Sequence, residues 1–443
     1  MTPALKTSLG VIVLIFFFNR FLLPFNLQFT LVLAPFLFYY LVKHGFERKL
    51  LLPIFVFSVF SFIHLFQGVV LKDFVFSSMV GLTLIVFFYS FLLFYKKTEG
   101  IDLILKRLTQ LNFIFTLIAL FSLVTGWFLE VFWYLIPFTA GYETIPRLKL
   151  FQLEASHYSF ALMPLFFYYF WKVMKQFSIP NLLLLLSILL SLLLSFSLGI
   201  IAVILFSVLI VMLLFGIKLL RFKSTRKSIL FLLASSLSVL IGLIYFYPDN
   251  PLFFRIDNLF NGLDTSGRGR TYEALEIGWE VLFQNNPLTG IGLGQFKIIG
   301  RETLLEYYHF TTTPDVARLP NCIAETLVTF GLLGLSIKLG LQAYFFVKFK
   351  VYLNLFQLSL FFALFIYQFT GSYLFNSMEY VLWIMAFYPK LFSFNSSIED
   401  VSAFNHLSIF LDFPIPINSM AIHKFATTIS TNTIPPYNFW LYP

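Results

Sequence analysis

Three observations predict an all-α integral membrane fold. Of the 443 residues, 59% are hydrophobic and only 12% are charged, far below the roughly 25% charged residues of a soluble domain. The apolar residues come in runs long enough for a helix to cross a hydrocarbon core about 30 Å thick. These runs are continuous rather than alternating, so their backbone satisfies itself as helices and not as barrel strands.

Twelve spans are expected, at roughly 8–24, 27–43, 50–66, 74–95, 110–129, 155–172, 181–197, 199–217, 228–247, 320–342, 351–369 and 372–389. The first has a basic residue and an apolar run like a signal sequence. Asn19, Arg20 and Pro24 stand where a small-residue cleavage site would follow, so it is read as a retained span. The seventh and eighth abut at Ser197 and Leu198, and one long broken helix is the alternative there.

Loop charge sets the orientation, because Lys and Arg concentrate on the cytoplasmic side. The even-numbered connections are basic: Lys43, Arg48 and Lys49, then Lys96, Lys97, Lys106 and Arg107, then Lys172 and Lys175, then Lys218 to Lys227, then Lys348 and Lys350. The odd-numbered ones are poor in cations or mix them with acids, as Lys72 with Asp73, or Arg147 and Lys149 with Glu130, Glu143 and Glu154. This places both termini in the cytoplasm and one large extracytoplasmic loop, residues 248–319, between the ninth and tenth spans. Residues 1–389 then form the membrane domain. Residues 390–443, scattered with Ser, Thr, Asn and Pro, are expected to be a weakly ordered cytoplasmic tail.

The net charge of +9 is accounted for by these cytoplasmic cations, which hold orientation and touch anionic lipid head groups. Nucleic-acid binding is not indicated. The single cysteine, Cys322, excludes an intramolecular disulfide and a multi-cysteine metal site, and no metal or cofactor is expected. No internal repeat is visible, which weakens a transporter built from inverted halves.

Chemistry is expected in two outer polar clusters. The large loop contains SGRGRTYEALEIGWEVLFQNNPLTGIGLGQF, residues 266–296. Its Arg268 and Arg270 stand before a helical apolar pattern, where planar guanidiniums beside backbone N–H groups suit a phosphate or diphosphate. The competing reading has them hold lipid head groups or pair with Glu273 and Glu276. Gly290, Gly292 and Gly294 form neither a Walker loop nor a dinucleotide fingerprint, and a tight turn returning the loop to the membrane is expected there. The second cluster lies before the sixth span, with Arg147 and Lys149 followed by Glu154, Ser156 and His157. An acid, an imidazole and two cations at a helix mouth can bind an anionic head group and move a proton, although interfacial anchoring accounts equally for His157 and Tyr158. Deeper in the membrane stand His64, Glu325, Lys338 and Glu379, of which Lys338 is expected to snorkel to the inner end.

Four stretches together resemble the O-antigen ligase and polymerase family: RLKLFQLEAS at 147–156, SFSLGIIAVILF at 195–206, the loop segment from Arg268 to Phe296, and NCIAETLVTFGLLGL at 321–335. The resemblance covers somewhat under half of the chain, and the loop segment is its most specific part. It implies transfer of a glycan from an undecaprenyl-diphosphate carrier at the outer face of the bacterial inner membrane. Neither a nucleotide sugar nor a metal is implied, and the diphosphate leaving group is held by Arg147, Arg268 and Arg270. Ligases of the family carry a His-Asn pair where this chain has Pro320 and Asn321, with His309 the nearest loop histidine. That departure favours a polymerase of O-antigen, capsule or exopolysaccharide repeat units, with Glu154 or His309 as the candidate catalytic base. A ligase acting on lipid A-core or protein is the alternative, and a secondary transporter or lipid-diphosphate flippase is the alternative of a different class. Membrane lipids, a chain-length regulator and a flippase of the same pathway are the expected partners.

Overall fold

A computed structural model describes residues 3–19, 22–23, 27–45, 50–135, 146–219, 245, 257, 261, 265–309, 318–371 and 374–388. All belong to the first of two compact units, Met1–Ser393. The second, Phe394–Pro443, holds nearly all of the expected tail and lies outside the described residues.

The described chain is almost wholly helical. Along the expected membrane domain run α1 (Pro3–Phe18), α2 (Phe29–Lys43), α3 (Leu51–Phe66), α4 (Leu71–Lys97), α5 (Ile101–Thr125), the short α6 (Leu129–Phe132), α7 (Ala155–Lys175), α8 (Ile179–Ser195) and α9 (Leu198–Leu219). The loop region contributes α10 (Thr265–Arg270), α11 (Tyr272–Gln284) and α12 (Phe296–Tyr308), and the chain continues through α13 (Cys322–Lys348), α14 (Leu355–Tyr367) and α15 (Ser377–Phe387). Two antiparallel ladders of two residues per strand complete it: β1 (Leu22–Leu23) with β2 (Leu27–Gln28), and β3 (Trp133–Tyr134) with β4 (Arg147–Leu148). Every expected span except the ninth falls on a helix; the ninth, 228–247, lies outside the described residues apart from Tyr245. Among the described residues four helices have the length and composition to cross a membrane, namely α4, α5, α9 and α13.

Helix α7 is the centre of the bundle, buried on all sides from Ala155 to Met174 except at Ser156 and Lys172. It packs against α8, α9, α14 and α15. Because lipid tails are as apolar as leucine, helices there are matched by close packing and by hydrogen bonds between helices. Tyr158 donates to Asn112 Oδ1 (2.7 Å) and Asn112 Nδ2 to Ser191 Oγ (3.0 Å), which joins α7, α5 and α8. Trp171 Nε1 donates to Ser359 Oγ (2.9 Å), joining α7 to α14.

One expected connection differs from the sequence reading, and one that it left with an alternative is decided. Lys106 and Arg107 were expected in a loop, yet α5 begins at Ile101, directly after left-handed Gly100, so both ride on its first turns. Phe196, at φ 48°, separates α8 from α9, which are therefore two helices.

The tenth expected span, 320–342, departs most. Gly331 stands at φ 67°, ψ −170° inside α13, a conformation open essentially to glycine alone. Lys338 Nζ lies 2.7 Å from Cys322 Sγ, sixteen residues away; on an unbroken helix they would be about 24 Å apart. The helix therefore folds back at Gly331, and its first part, up to Phe330, is too short to cross a membrane alone.

Candidate functional site

The break in α13 is filled by the glycine segment of the loop. In an uninterrupted helix Leu332 and Leu333 would donate to the carbonyls of Val328 and Thr329. Here Leu332 N–H donates to Pro287 O (3.0 Å) and Leu333 N–H to Leu288 O (3.1 Å). The carbonyls of Val328 and Thr329 accept instead from the N–H groups of Ile291 (2.9 Å) and Gly292 (3.1 Å). Two helical bonds are replaced by four bonds to the loop, so these two donors and two acceptors are not orphaned in an apolar setting. Such an approach leaves no room for side chains. A Cβ at Gly290, which has φ 78°, would stand 2.5 Å from Val328 O, and one at Gly331 would collide with Leu288 O.

The same segment is tied to the turn between α3 and α4. His64 Nε2 lies 2.8 Å from Thr289 O, Gln67 Nε2 donates to Thr289 Oγ1 (2.7 Å), and Gln295 Oε1 accepts from Val70 N–H (2.8 Å). Gly294, at φ 73°, passes so close to α4 that a Cβ would meet Ser77 Oγ at 2.5 Å. His64 is thus a docking residue for the loop.

On this bracket the rest of the loop folds as a small module. Ala274, Ile277, Gly278, Val281 and Leu282 bury one face of α11, the i, i+3, i+4 pattern of an amphipathic helix. Gly278 lies against Ala324 and Val328 of α13. Tyr308 donates to Glu273 Oε2 (2.9 Å) and Tyr307 to Glu276 Oε2 (2.5 Å), joining α12 to α11. The bond to Glu276 pushes the Tyr307 hydroxyl up to about 12, so it remains a donor.

The two loop arginines part company. Arg268 is exposed and its Nε lies 2.7 Å from Glu273 Oε1, the pairing that competed with a ligand role. Arg270 ends α10, and its carbonyl accepts from Asn321 Nδ2 (3.0 Å) at the start of α13. Its guanidinium acts on Tyr134, in the other polar cluster: burial raises the Tyr134 hydroxyl pKa and the Glu154 carboxylate adds to the rise, while Arg147 and Arg270 both pull it down. Tyr134 is paired with Arg147 across the β3–β4 ladder, the Arg147 guanidinium lies 5.9 Å from its ring centroid, and Arg147 Nε donates to Ser195 O (3.2 Å). Glu154 is the N-cap residue of α7 and accepts from Ser156 Oγ (3.2 Å). Nearby Lys149 has its pKa lowered by burial, with Glu130 opposing the shift.

Tyr134, a residue the sequence reading did not single out, thus has Arg147 beside its ring and lies within electrostatic reach of Glu154 and Arg270. His309 is exposed at the end of α12, in the left-handed conformation (φ 52°). Among the described residues no three His, Cys, Asp or Glu side chains converge as metal ligands. What the cluster offers chemically is two guanidiniums, a phenol and a carboxylate at the mouth of α7, suited to an anionic group and a proton transfer.

A second polar centre lies inside the bundle. Lys338, besides Cys322, has Thr326 Oγ1 at 3.4 Å and is within electrostatic reach of Glu379 and Glu325. Glu379 Oε1 accepts from Trp383 Nε1 (3.3 Å), and Cys322 Sγ lies 3.9 Å away. Glu325 Oε2 accepts from Leu374 N–H (2.6 Å). Lys338 therefore does not snorkel to the inner end, because the fold-back at Gly331 turns it toward these carboxylates.

No curated protein matches the chain. The model of the O-antigen ligase family matches residues 182–339, from α8 through the loop module to the second part of α13; Arg270, the glycine bracket and Asn321 fall inside that stretch, while Tyr134, Arg147 and Glu154 precede it. With apolar helices throughout, the chain is a membrane protein that carries, over residues 182–339, a stretch matching the O-antigen ligase family.

Proposed function

We propose that the chain polymerises glycan repeat units at the outer face of the bacterial inner membrane, taking them from an undecaprenyl-diphosphate carrier. The observation that carries this reading is the placement of Arg147, beside Tyr134 and bonded to Ser195 O, next to Glu154 at the N-cap of α7, with Arg270 within electrostatic reach. The acceptor hydroxyl attacks the anomeric carbon of the carrier-linked sugar, the bond from that carbon to the diphosphate oxygen breaks, and the electron pair leaves with undecaprenyl diphosphate. Arg147 and Arg270 neutralise the charge that grows on the diphosphate, an effect worth several kcal/mol at a preorganised site. Arg268 stands two residues earlier on α10 as a third cation, released from Glu273 when the donor is bound. Glu154 takes the hydroxyl proton. It is preferred to His309 because it lies with the arginines, whereas His309 is exposed at the far end of α12.

The ligase reading keeps a specific support, the description of the matching family itself; Pro320, standing where a ligase would carry histidine, supports the polymerase. The transporter reading relied on His64, Lys338 and Glu379 as a substrate or proton path. It is disfavoured because His64 is held by the loop and the other two act on each other. Deleting the gene and running the surface polysaccharide on a gel separates the readings. A single repeat unit left on lipid A-core means polymerase, a bare core with carrier-linked polymer accumulating means ligase, and an unaltered ladder contradicts both.

A further inference from the structure

Asn321 is fully buried at the start of α13, and its carboxamide is used at both ends. Oδ1 accepts from Ala324 N–H (2.7 Å), the N-cap of the helix. Nδ2 donates to the carbonyl of Arg270 (3.0 Å) and, at longer range, to that of Thr271 (3.5 Å). The amide orientation follows from these partners, since a donor faces one end and carbonyls the other. Arg270 is the last residue of α10, where carbonyls lack helical partners. Thr271, at φ −107°, ψ −89°, breaks the chain direction before α11. Local bonds hold the junction, from Thr271 Oγ1 to Gly267 O (3.0 Å), from Thr271 N–H to Arg268 O (3.2 Å) and from Leu275 N–H to Thr271 O (3.4 Å), but none of them reaches the Arg270 carbonyl. Asn321 joins that junction to the first part of α13, which the glycine bracket and Gly278 already hold.

We propose that Asn321 is a positioning residue that aims Arg270 at the donor diphosphate. The inference rests on the reading of Arg270 given above. It explains why the residue is asparagine. Aspartate or serine would cap α13 equally well, but neither provides an N–H for the Arg270 carbonyl.

The test is the dependence of glycan transfer on donor concentration, for the full chain in proteoliposomes with a synthetic undecaprenyl-diphosphate-linked repeat unit. Wild type, Asn321→Asp, Asn321→Ser, Arg270→Ala and the double variant Arg270→Ala/Asn321→Asp are compared, with thermal melting of each. Both cap-preserving variants should melt near wild type and raise the donor KM about threefold to tenfold, the loss of one hydrogen bond, without an equal loss in kcat. The double variant should be no worse than Arg270→Ala alone. A wild-type KM in the two Asn321 variants, additive losses in the double variant, or unfolding of both Asn321 variants overturns the tether while the function stands. Wild-type kinetics for Arg270→Ala, or no transfer by the wild type, overturns the reading of the site and the tether with it.

Discussion

The protein holds two polar centres, and they treat charge in opposite ways. Among the described residues, Arg147 and Arg270 act on Tyr134 against the Glu154 carboxylate. Around Cys322, one lysine bonded to Cys322 and Thr326 lies within electrostatic reach of Glu379 and Glu325, and each acid has its own donor in Trp383 Nε1 or Leu374 N–H. The first centre is the one we assign to an anionic ligand. The second is spent on itself, which is what an apolar interior demands of ionisable groups. The difference separates a site from a fastening, although both read in the sequence as unexplained charge.

That contrast can be broken by substitution, and the largest effect is expected in the inner centre. Lys338→Met removes the donor to Cys322 and Thr326 and the cation within electrostatic reach of Glu379, and should destabilise the protein by about 1–3 kcal/mol, read as lost yield and a lowered melting temperature in detergent. Lys338→Met/Glu379→Gln should recover most of that loss, because a missing pair costs far less than a broken one. A double variant as unstable as the sum of the singles would show that the two residues are not partners.

In the outer centre the fold should survive and the function should not. Arg147→Ala or Arg270→Ala is expected to slow chain growth about 10² to 10³-fold with normal membrane insertion, seen as loss of the long bands on a polysaccharide gel. Gly331→Ala comes next, with about 1–3 kcal/mol of backbone strain in addition to its collision with Leu288 O, measured by melting. Arg268→Ala should be mildest for stability, since an exposed pair with Glu273 is worth about 0.2–1 kcal/mol. Its effect on chain length should fall between wild type and Arg270→Ala; a loss as complete as that of Arg270→Ala would make the pair equal ligands.

The helices were legible because continuous apolar runs of span length admit little else. Their ends were less so: Lys106 and Arg107 look like loop cations until Gly100 is seen to start α5 just before them. The fold-back of α13 was hidden, because FGLLG is ordinary in a membrane helix and Gly331 takes its conformation only when the segment from Pro287 to Gly292 inserts. That same hidden turn concealed the partner of Glu379, since Lys338 on a straight helix belongs near the opposite end. In the outer site Arg147, Glu154 and Arg270 stood out as charges among apolar sequence. Tyr134 did not, because an aromatic residue in an outer connection looks like one more interfacial anchor, and its importance comes from pairing with Arg147 across a ladder of two residues.

The central claim is that Arg147 and Arg270, from separate parts of the chain, bind one diphosphate. Titrating undecaprenyl diphosphate into the purified protein in lipid nanodiscs tests it most directly. Arg147→Ala and Arg270→Ala should each weaken binding by about 10-fold or more, the loss of a charge-assisted hydrogen bond, with melting unchanged. Wild-type affinity in both variants would contradict the account.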